Sequence, residues 1–450
     1  GLMKNLLPKF WAYVVKLPLW GMLCLIAAPS YAIDIKEVRS PGGIKAWLVQ
    51  DKSIPVISVN FAFKTGGTAY DPVGKEGLAR MVSAMLDEGA GDLKSQDFQT
   101  QLQNTAARLS FSASTDKFRG SFRTLTANKD EAFRLFGLAL NKPRFDGKPV
   151  DRIKGQIIVS IQRSAQDPDM IGTRAWYKAV FPNHPYGRPG DGTVESIKTL
   201  VAKDLKDFMR RHVVLDSLIV AVAGDISSAE LARRLDQIFG TLPAAGDTKQ
   251  IAEIAPAAAG KTIVIDRKIP QSIVMFGHSG LKRNHPDWYI ASVMNRIFGG
   301  GGFSSRLMEE IREKRGLAYG VYSYLNPYDH AALYMGSVAT ANSRVAESLK
   351  VVRAEWKKMA EKGVTAKELA AAKTYINGSF PLRLDSTRRI ASLLLAVQVN
   401  NLGKDYLDKR PSLINAVTLG DIKRVAKKLL RPEALTAVIV GQPKGIKPRP

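Results

Sequence analysis

Residues Ile197–Gly224 read IKTLVAKDLKDFMRRHVVLDSLIVAVAG, and residues Ile414–Gly441 read INAVTLGDIKRVAKKLLRPEALTAVIVG. The two lie on each other without a gap at a constant offset of 217 residues. Ile197/Ile414, Asp204/Asp421, Lys206/Lys423, Leu218/Leu435 and Gly224/Gly441 are identical pairs. Each copy alternates as an amphipathic helix and then as a short apolar strand that stops at glycine. A match of this length at one offset signals a duplicated architecture.

Working outward, the beginnings of the two halves match more loosely. Ile44–Phe63 is two strand-like runs broken by Ser53-Ile54-Pro55, and Thr262–Gly277 is two runs broken by Pro270-Gln271-Ser272. A helix pattern follows each. The expected fold class is α+β: two homologous α/β-roll domains, each an antiparallel-rich sheet packed with helices, related by internal duplication. The expected boundaries are 33–240 and 263–450. Residues 241–262, rich in alanine and proline and poor in large apolar side chains, are the expected linker.

The chain has 450 residues, 66 basic against 41 acidic side chains, a net charge of +25 and a single cysteine, Cys24. Its 45% apolar content is that of a globular chain. One cysteine excludes a disulfide scaffold. In the first 32 residues Lys4, Lys9 and Lys16 precede an apolar run, Leu17–Ala28, and Ser30-Tyr31-Ala32 places small residues at both cleavage positions. This reads as a secretory signal cut after Ala32. The alternative, a membrane anchor, has too short a run after Lys16 to span comfortably. The expected location is the periplasm or outside the cell, without stable membrane insertion once the signal is removed.

Without that segment the charge is +22, of which +17 falls in residues 256–450. Such an excess first suggests a polyanion. Export and the lack of an aromatic-basic stacking motif argue against nucleic acid as a partner.

Several motif matches fail on order. Ser114-Thr115-Asp116-Lys117 fits S-x-x-K and Lys64-Thr65-Gly66 fits K-T-G, but they stand in the reverse of the order that serine acyl-enzymes need. The five histidines, His184, His212, His278, His285 and His330, are never within four residues of one another. No helical turn can therefore present two imidazoles to a metal. His184 and His285, each before a proline, read as turn residues.

Four separated segments in order carry a resemblance. They are Gly66-Gly67-Thr68 with Gly77-Leu78-Ala79; His184-Pro185-Tyr186-Gly187; Ala223-Gly224-Asp225; and Phe298-Gly299-Gly300 through Ser305-Arg306-Leu307 to Arg312 and Tyr319. Together they resemble the pitrilysin-type (inverzincin) metallopeptidases and their relatives, the mitochondrial processing peptidase and the core proteins of the respiratory bc complex. In that family the segment after Gly-Leu-Ala carries H-x-x-E-H, two zinc-binding imidazoles with the glutamate that activates the metal-bound water. Here the corresponding positions are Arg80, Ser83 and Ala84, and the third ligand position falls on Ser160. The stripe Leu78, Met81, Val82, Met85 and Leu86 still predicts a core-facing helix. The resemblance thus implies a chain with no catalytic zinc of its own.

The resemblance also implies that Arg312 and Tyr319 bind substrate, because relatives use an arginine and a tyrosine seven residues apart to hold the substrate backbone. Seven residues make about two helical turns, so both would share one side if the segment stays helical. The tetraglycine Gly299–Gly302 is expected to be a turned connection before a Ser304–Arg315 helix, or else a substrate-contacting loop. Leu109–Ser114 alternates like a sheet-edge strand, which relatives pair with substrate.

The expectation is a non-catalytic subunit of an exported heterodimeric zinc peptidase. It would be inactive alone and partnered with a homologous subunit that holds the zinc. Its Arg312 and Tyr319 would reach peptide substrate in the partner's site. The alternative is a non-enzymatic scaffold or peptide-binding protein of the same fold, like the respiratory core proteins.

Overall fold

The computed structural model describes residues 33–448; the expected signal segment, residues 1–32, lies outside them. The first half builds a six-stranded sheet from β1 (Lys36–Arg39), β2 (Lys45–Gln50), β3 (Val56–Phe63), β4 (Arg108–Ala113), β5 (Phe118–Leu125) and β6 (Leu218–Gly224). Its order is β1-β2-β6-β3-β5-β4. The second half builds five strands, β7 (Thr262–Asp266), β8 (Gln271–Ser279), β9 (Gly320–Pro327), β10 (Ala332–Ala341) and β11 (Thr436–Gly441), in the order β7-β11-β8-β10-β9. Apart from β1 the two orders are the same. In the first sheet β2 pairs parallel with β6, in the second β7 pairs parallel with β11, and every other pairing in the two sheets is antiparallel. The class is the expected duplicated α+β fold.

The helices that position the site are α1 (Leu78–Met85), α2 (Lys129–Asn141), α3 (Gly147–Ser164), α4 (Pro168–Val180), α5 (Ala202–His212) and α6 (Ser228–Phe239) in the first half. The second half supplies α7 (Val345–Lys362), α8 (Thr387–Val399) and α9 (Leu419–Leu429). The repeated window becomes α5 with β6 and α9 with β11. Its identical residues have physical jobs. Asp204 and Asp421 fold back to accept the amides of Val201 (2.9 Å) and Thr418 (3.0 Å), closing the first turn of each helix. Gly224 and Gly441 end their strands at φ of 131° and 146°. A Cβ on Gly224 would stand 2.1 Å from the Val56 carbonyl oxygen, so only glycine fits.

One face of each sheet is covered from within its own half. Ile57, Val59, Phe61 and Phe63 of β3 join Phe133 and Phe136 of α2, Phe208 of α5 and Phe239 of α6 in the first core. Phe276 of β8 packs with Trp356 of α7 and Ile422 and Val425 of α9 in the second. The opposite faces are covered by exchange. Helix α8, from the second half, lies on β3 and β6. There the Ser58 and Thr387 hydroxyls share a 2.9 Å hydrogen bond, and Gln398 Nε2 donates to the Val220 carbonyl at 2.9 Å. Helix α4, from the first half, lies on β8 and β11. There Trp176, fully buried, joins Met335 and Val438 in a third core. Strand β3 is accordingly buried on both faces.

The segment 241–261 forms no helix or strand but is pinned at intervals. Leu242 and Ile251 are buried, Ile254 N–H donates to the His330 carbonyl, and Ala257 N–H donates to the Val180 carbonyl. Among the described residues no helix is long and apolar enough to cross a membrane.

Candidate functional site

Helix α1 keeps the form of a zinc-binding helix without its chemistry. Leu78, Met81, Val82, Met85 and Leu86 are all buried, as the stripe predicts. Asp71 caps the helix start, its two carboxylate oxygens accepting the amides of Gly77 (2.9 Å) and Ala79 (3.0 Å). Burial pushes the Asp71 carboxyl up to about 7 against these hydrogen bonds and nearby Arg188.

Arg80, Ser83 and Ala84 line the partly exposed face of that helix. The Arg80 guanidinium pairs with Asp191 at 2.8 Å, and the Ser83 hydroxyl donates to the Arg80 carbonyl at 2.6 Å. Three of the four degenerate positions thus lie on α1, and Ser160 lies on α3, a helix that packs against α1. They do not suit zinc. A permanent cation, a methyl group and two neutral hydroxyls offer neither the imidazole nitrogen nor the carboxylate oxygen that the ion requires. Among the described residues no group of three or more histidine, cysteine, aspartate or glutamate side chains is placed to hold a metal. His184 and His285 are turn residues, as expected. The His184 Nδ1 accepts from Tyr186 N–H at 3.1 Å, and the His285 Nδ1 accepts from Asp287 N–H at 3.0 Å.

The expected Ser304–Arg315 helix is shorter and differently wound. Ser305 caps it, an α-turn runs Arg306–Met308, and a wider π-turn runs Glu309–Glu313. A second π-turn, Arg296–Gly300, lies on the other side of the glycine loop. Single π-turns of this kind are frequent at functional sites. Tyr319 is therefore not on a helix with Arg312. Gly316, at φ 57°, reverses the chain, and the amides of Gly316 and Leu317 satisfy the carbonyls of Arg312 and Ile311. Buried Leu317 and Ala318 then tie the returning segment to the second core. Tyr319 emerges just before the edge strand β9.

The fold still brings the pair together. Arg312 Nη1 donates to the Tyr319 carbonyl at 3.2 Å, and the guanidinium stands 4.6 Å over the Tyr319 ring. It also stands 4.7 Å over the ring of Phe303, a residue of the glycine-rich loop. Arg312 thus lies against two aromatic residues, both strongly exposed, Phe303 at 68% and Tyr319 at 82%. Sequence reasoning missed Phe303; its one signal is an aromatic residue among glycines and serines.

Neighbouring charges are already engaged. Glu310 takes both Lys314 and Arg315 at 2.7 Å. Burial raises its pKa, but the two cations outweigh that and hold the carboxyl below the usual range. Arg312 has only a 3.5 Å contact with exposed Glu313. The Tyr319 hydroxyl has no hydrogen-bond partner among the described residues. A guanidinium fork and a phenol facing solvent side by side can donate to the carbonyls of an extended peptide. Strand β4, the expected edge, is the outermost strand of the first sheet.

Residues 199–376 match the family model described as "Peptidase M16 inactive domain". The chain is 30% identical over 331 residues to the "Non-peptidase homolog YmxG" of Helicobacter pylori, spanning 73% of this chain and 76% of that protein. A solved peptidase M16 inactive domain from Pseudomonas fluorescens superposes with a TM-score of 0.85 at 27% identity, covering 93% of this chain and all of that one. A chain of complex III2 from Candida albicans shares the fold, with a TM-score of 0.74 at 17% identity over 91% of this chain and 96% of its own. The chain belongs to the peptidase M16 family, as a member without the catalytic zinc motif.

Proposed function

We propose that the chain is the non-catalytic subunit of an exported, heterodimeric zinc peptidase. It would set Arg312 and Tyr319 against substrate bound at the zinc of a homologous partner. The observation that carries this reading is the Arg312 cluster itself. The Phe303 and Tyr319 rings both lie against the guanidinium, whose side chain stays 28% exposed, and the strongly exposed Tyr319 keeps its hydroxyl free of any partner among the described residues. A cation held by two rings in this way loses little freedom on meeting a ligand, and donors held in advance act most strongly on charge that develops at a peptide carbonyl.

In the assembled enzyme the partner would supply zinc, water and general base, and this chain the donors that hold the peptide. The signal-like first 32 residues support a location for the pair in the periplasm or outside the cell. The +17 charge of residues 256–450 suits an acidic partner surface or acidic peptides.

The test is to purify the chain alone, measure bound zinc and peptide hydrolysis, and then add a zinc-binding M16 relative from the same genome. The reading expects neither stoichiometric zinc nor turnover alone, an unchanged melting temperature in chelator, and a stable one-to-one complex after mixing. Stoichiometric zinc or hydrolysis by the lone chain overturns it. Failure to associate with any zinc-binding relative returns the chain to the scaffold alternative.

A further inference from the structure

The two halves also meet at the turns joining β4 to β5 and β9 to β10, which are equivalent in the duplication. Asp116, on the first turn, accepts the Asp329 amide of the second at 3.0 Å and the Tyr186 hydroxyl at 2.6 Å. Lys117 donates to both Asp329 carboxylate oxygens, at 2.8 and 2.9 Å. Beside this junction, where α8 ends at Val399 and leaves the face of the first sheet uncovered, a cavity of about 500 Å³ opens. That volume lies in the range of small-ligand clefts.

Four cations line it: Lys117, Arg119, Lys282 and Arg283. Two are already paired, Lys117 with Asp329 and Lys282 with Glu253. The other two have no carboxylate partner among the described residues. Arg283 lies over the rings of Trp288 (5.1 Å) and Tyr289 (5.4 Å) and donates to the Tyr406 hydroxyl at 3.4 Å, so its partners are aromatic and phenolic. Arg119 sits on the non-core face of β5, partly buried, with no hydrogen bond or ion pair among the described residues. Burial lowers its pKa, the mark of a desolvated cation, and the Asp329 charge only partly offsets this. The cavity's own carboxylates are hydrogen-bonded elsewhere, Asp116 to Tyr186 and Asp329 to Lys117, so Arg119 feels the Asp329 charge without a direct contact to it. A partly buried guanidinium without a counter-ion is costly, and one that faces a cavity is completed by an anion that enters it.

We propose that this cavity is a binding site for a small organic carboxylate, gripped by Arg119 with Arg283 beside it. It shares no lining residue with the Arg312 cluster and does not depend on the peptidase reading. The planar fork of arginine matches a carboxylate through two parallel hydrogen bonds, and a phosphate presents the same oxygen spacing. Citrate and inorganic phosphate therefore serve as separate probes.

The experiment is calorimetric titration of the full chain with citrate, and separately with inorganic phosphate, against sodium chloride at equal ionic strength. Saturable one-to-one binding of citrate is expected, with affinity at least tenfold weaker in Arg119→Gln. Phosphate binding of equal strength would widen the ligand class to compact oxyanions at the same residues. Asn401, on the exposed rim at φ 53°, can become aspartate without backbone strain, because aspartate tolerates that conformation. Asn401→Asp should weaken citrate about fivefold by like-charge repulsion. It decides the matter if Arg119→Gln does not fold. Heats no larger than those of chloride, or an affinity unchanged in folded Arg119→Gln or in Asn401→Asp, overturn the site.

Discussion

The guanidinium of Arg312 lies 4.6 Å over the ring of Tyr319 and donates to that residue's carbonyl at 3.2 Å, although the helix carrying Arg312 ends six residues before Tyr319. Both contacts leave the Tyr319 hydroxyl without a hydrogen-bond partner among the described residues, and the guanidinium meets no carboxylate there closer than the 3.5 Å of Glu313. The arrangement leaves two large aromatic side chains, Phe303 and Tyr319, strongly exposed at the surface. It is more economical as half of a site than as a piece of architecture.

Tyr319→Phe separates the phenol's two roles. The ring contact to Arg312 survives and the hydroxyl does not. In a reconstituted pair with a zinc-binding relative, we expect kcat/KM to fall roughly tenfold, about the 1.4 kcal/mol of one hydrogen bond to substrate, with no change in melting temperature. Tyr319→Ala should fall further, because Arg312 then loses a cation–π contact of about 0.5–1 kcal/mol and its fixed position. Equal activity for Phe and Ala variants would show that the ring does not position the arginine.

The exchange of α4 and α8 predicts that the halves unfold together. Trp176 of α4 is fully buried on the second sheet, so Trp176→Ala should cost about 3–5 kcal/mol. Calorimetry should show one transition moved to lower temperature. Hydrogen exchange should loosen β3 and β8 alike. Two separate transitions, with only β8 affected, would mean that each half is stable without its borrowed helix.

His278 gives the fold a pH limit. An indole N–H can only donate, so the 2.9 Å contact from Trp356 Nε1 makes His278 Nε2 the acceptor, and Nδ1–H donates to the Ser279 carbonyl at 2.8 Å. Burial, with Arg431 nearby, pushes the imidazole down to about 4, and burial does the same to His212. Because the folded pKa is depressed below the unfolded 6.5, the unfolded chain binds the proton first. The stabilisation is complete above pH 6.5 and is lost as pH falls toward 4, by about 3 kcal/mol per group. Urea titrations across that range should show the decline. His278→Phe should be less stable at pH 7.5, with the Trp356 N–H unpaired, but should decline less on acidification. An unchanged slope would remove His278 from the account.

Much of this was readable in the chain. The repeat encodes its own caps and terminators, Asp204/Asp421 and Gly224/Gly441, so helix, strand and duplication could all be read from one window. The stripe on α1 and the alternation of Leu109–Ser114 were readable because burial on one face leaves a period in the sequence. The exchange of α4 and α8 was not, since an apolar stripe says that a helix is buried and not which sheet buries it. The Arg312–Tyr319 contact was anticipated on the wrong grounds. A spacing of seven suggested one helical face, whereas Gly316 and the buried Leu317 and Ala318 fold the chain back. Ser114–Lys117, dismissed as a chance motif, is the turn whose Asp116 and Lys117 join the halves, a role that depends on Asp329, more than two hundred residues away.

The central claim is that this chain lends donors to a metal site it does not possess. The most direct test is the turnover of the reconstituted pair, with the partner fully zinc-loaded, using wild-type chain and Arg312→Ala. The account predicts that association and zinc content stay unchanged while kcat falls about 10²–10³-fold, the cost of removing one donor aimed at a developing oxyanion. Arg312→Lys should recover little of it, because an ammonium cannot reproduce the planar fork. Undiminished turnover with Arg312→Ala in an intact, zinc-loaded complex would contradict the account.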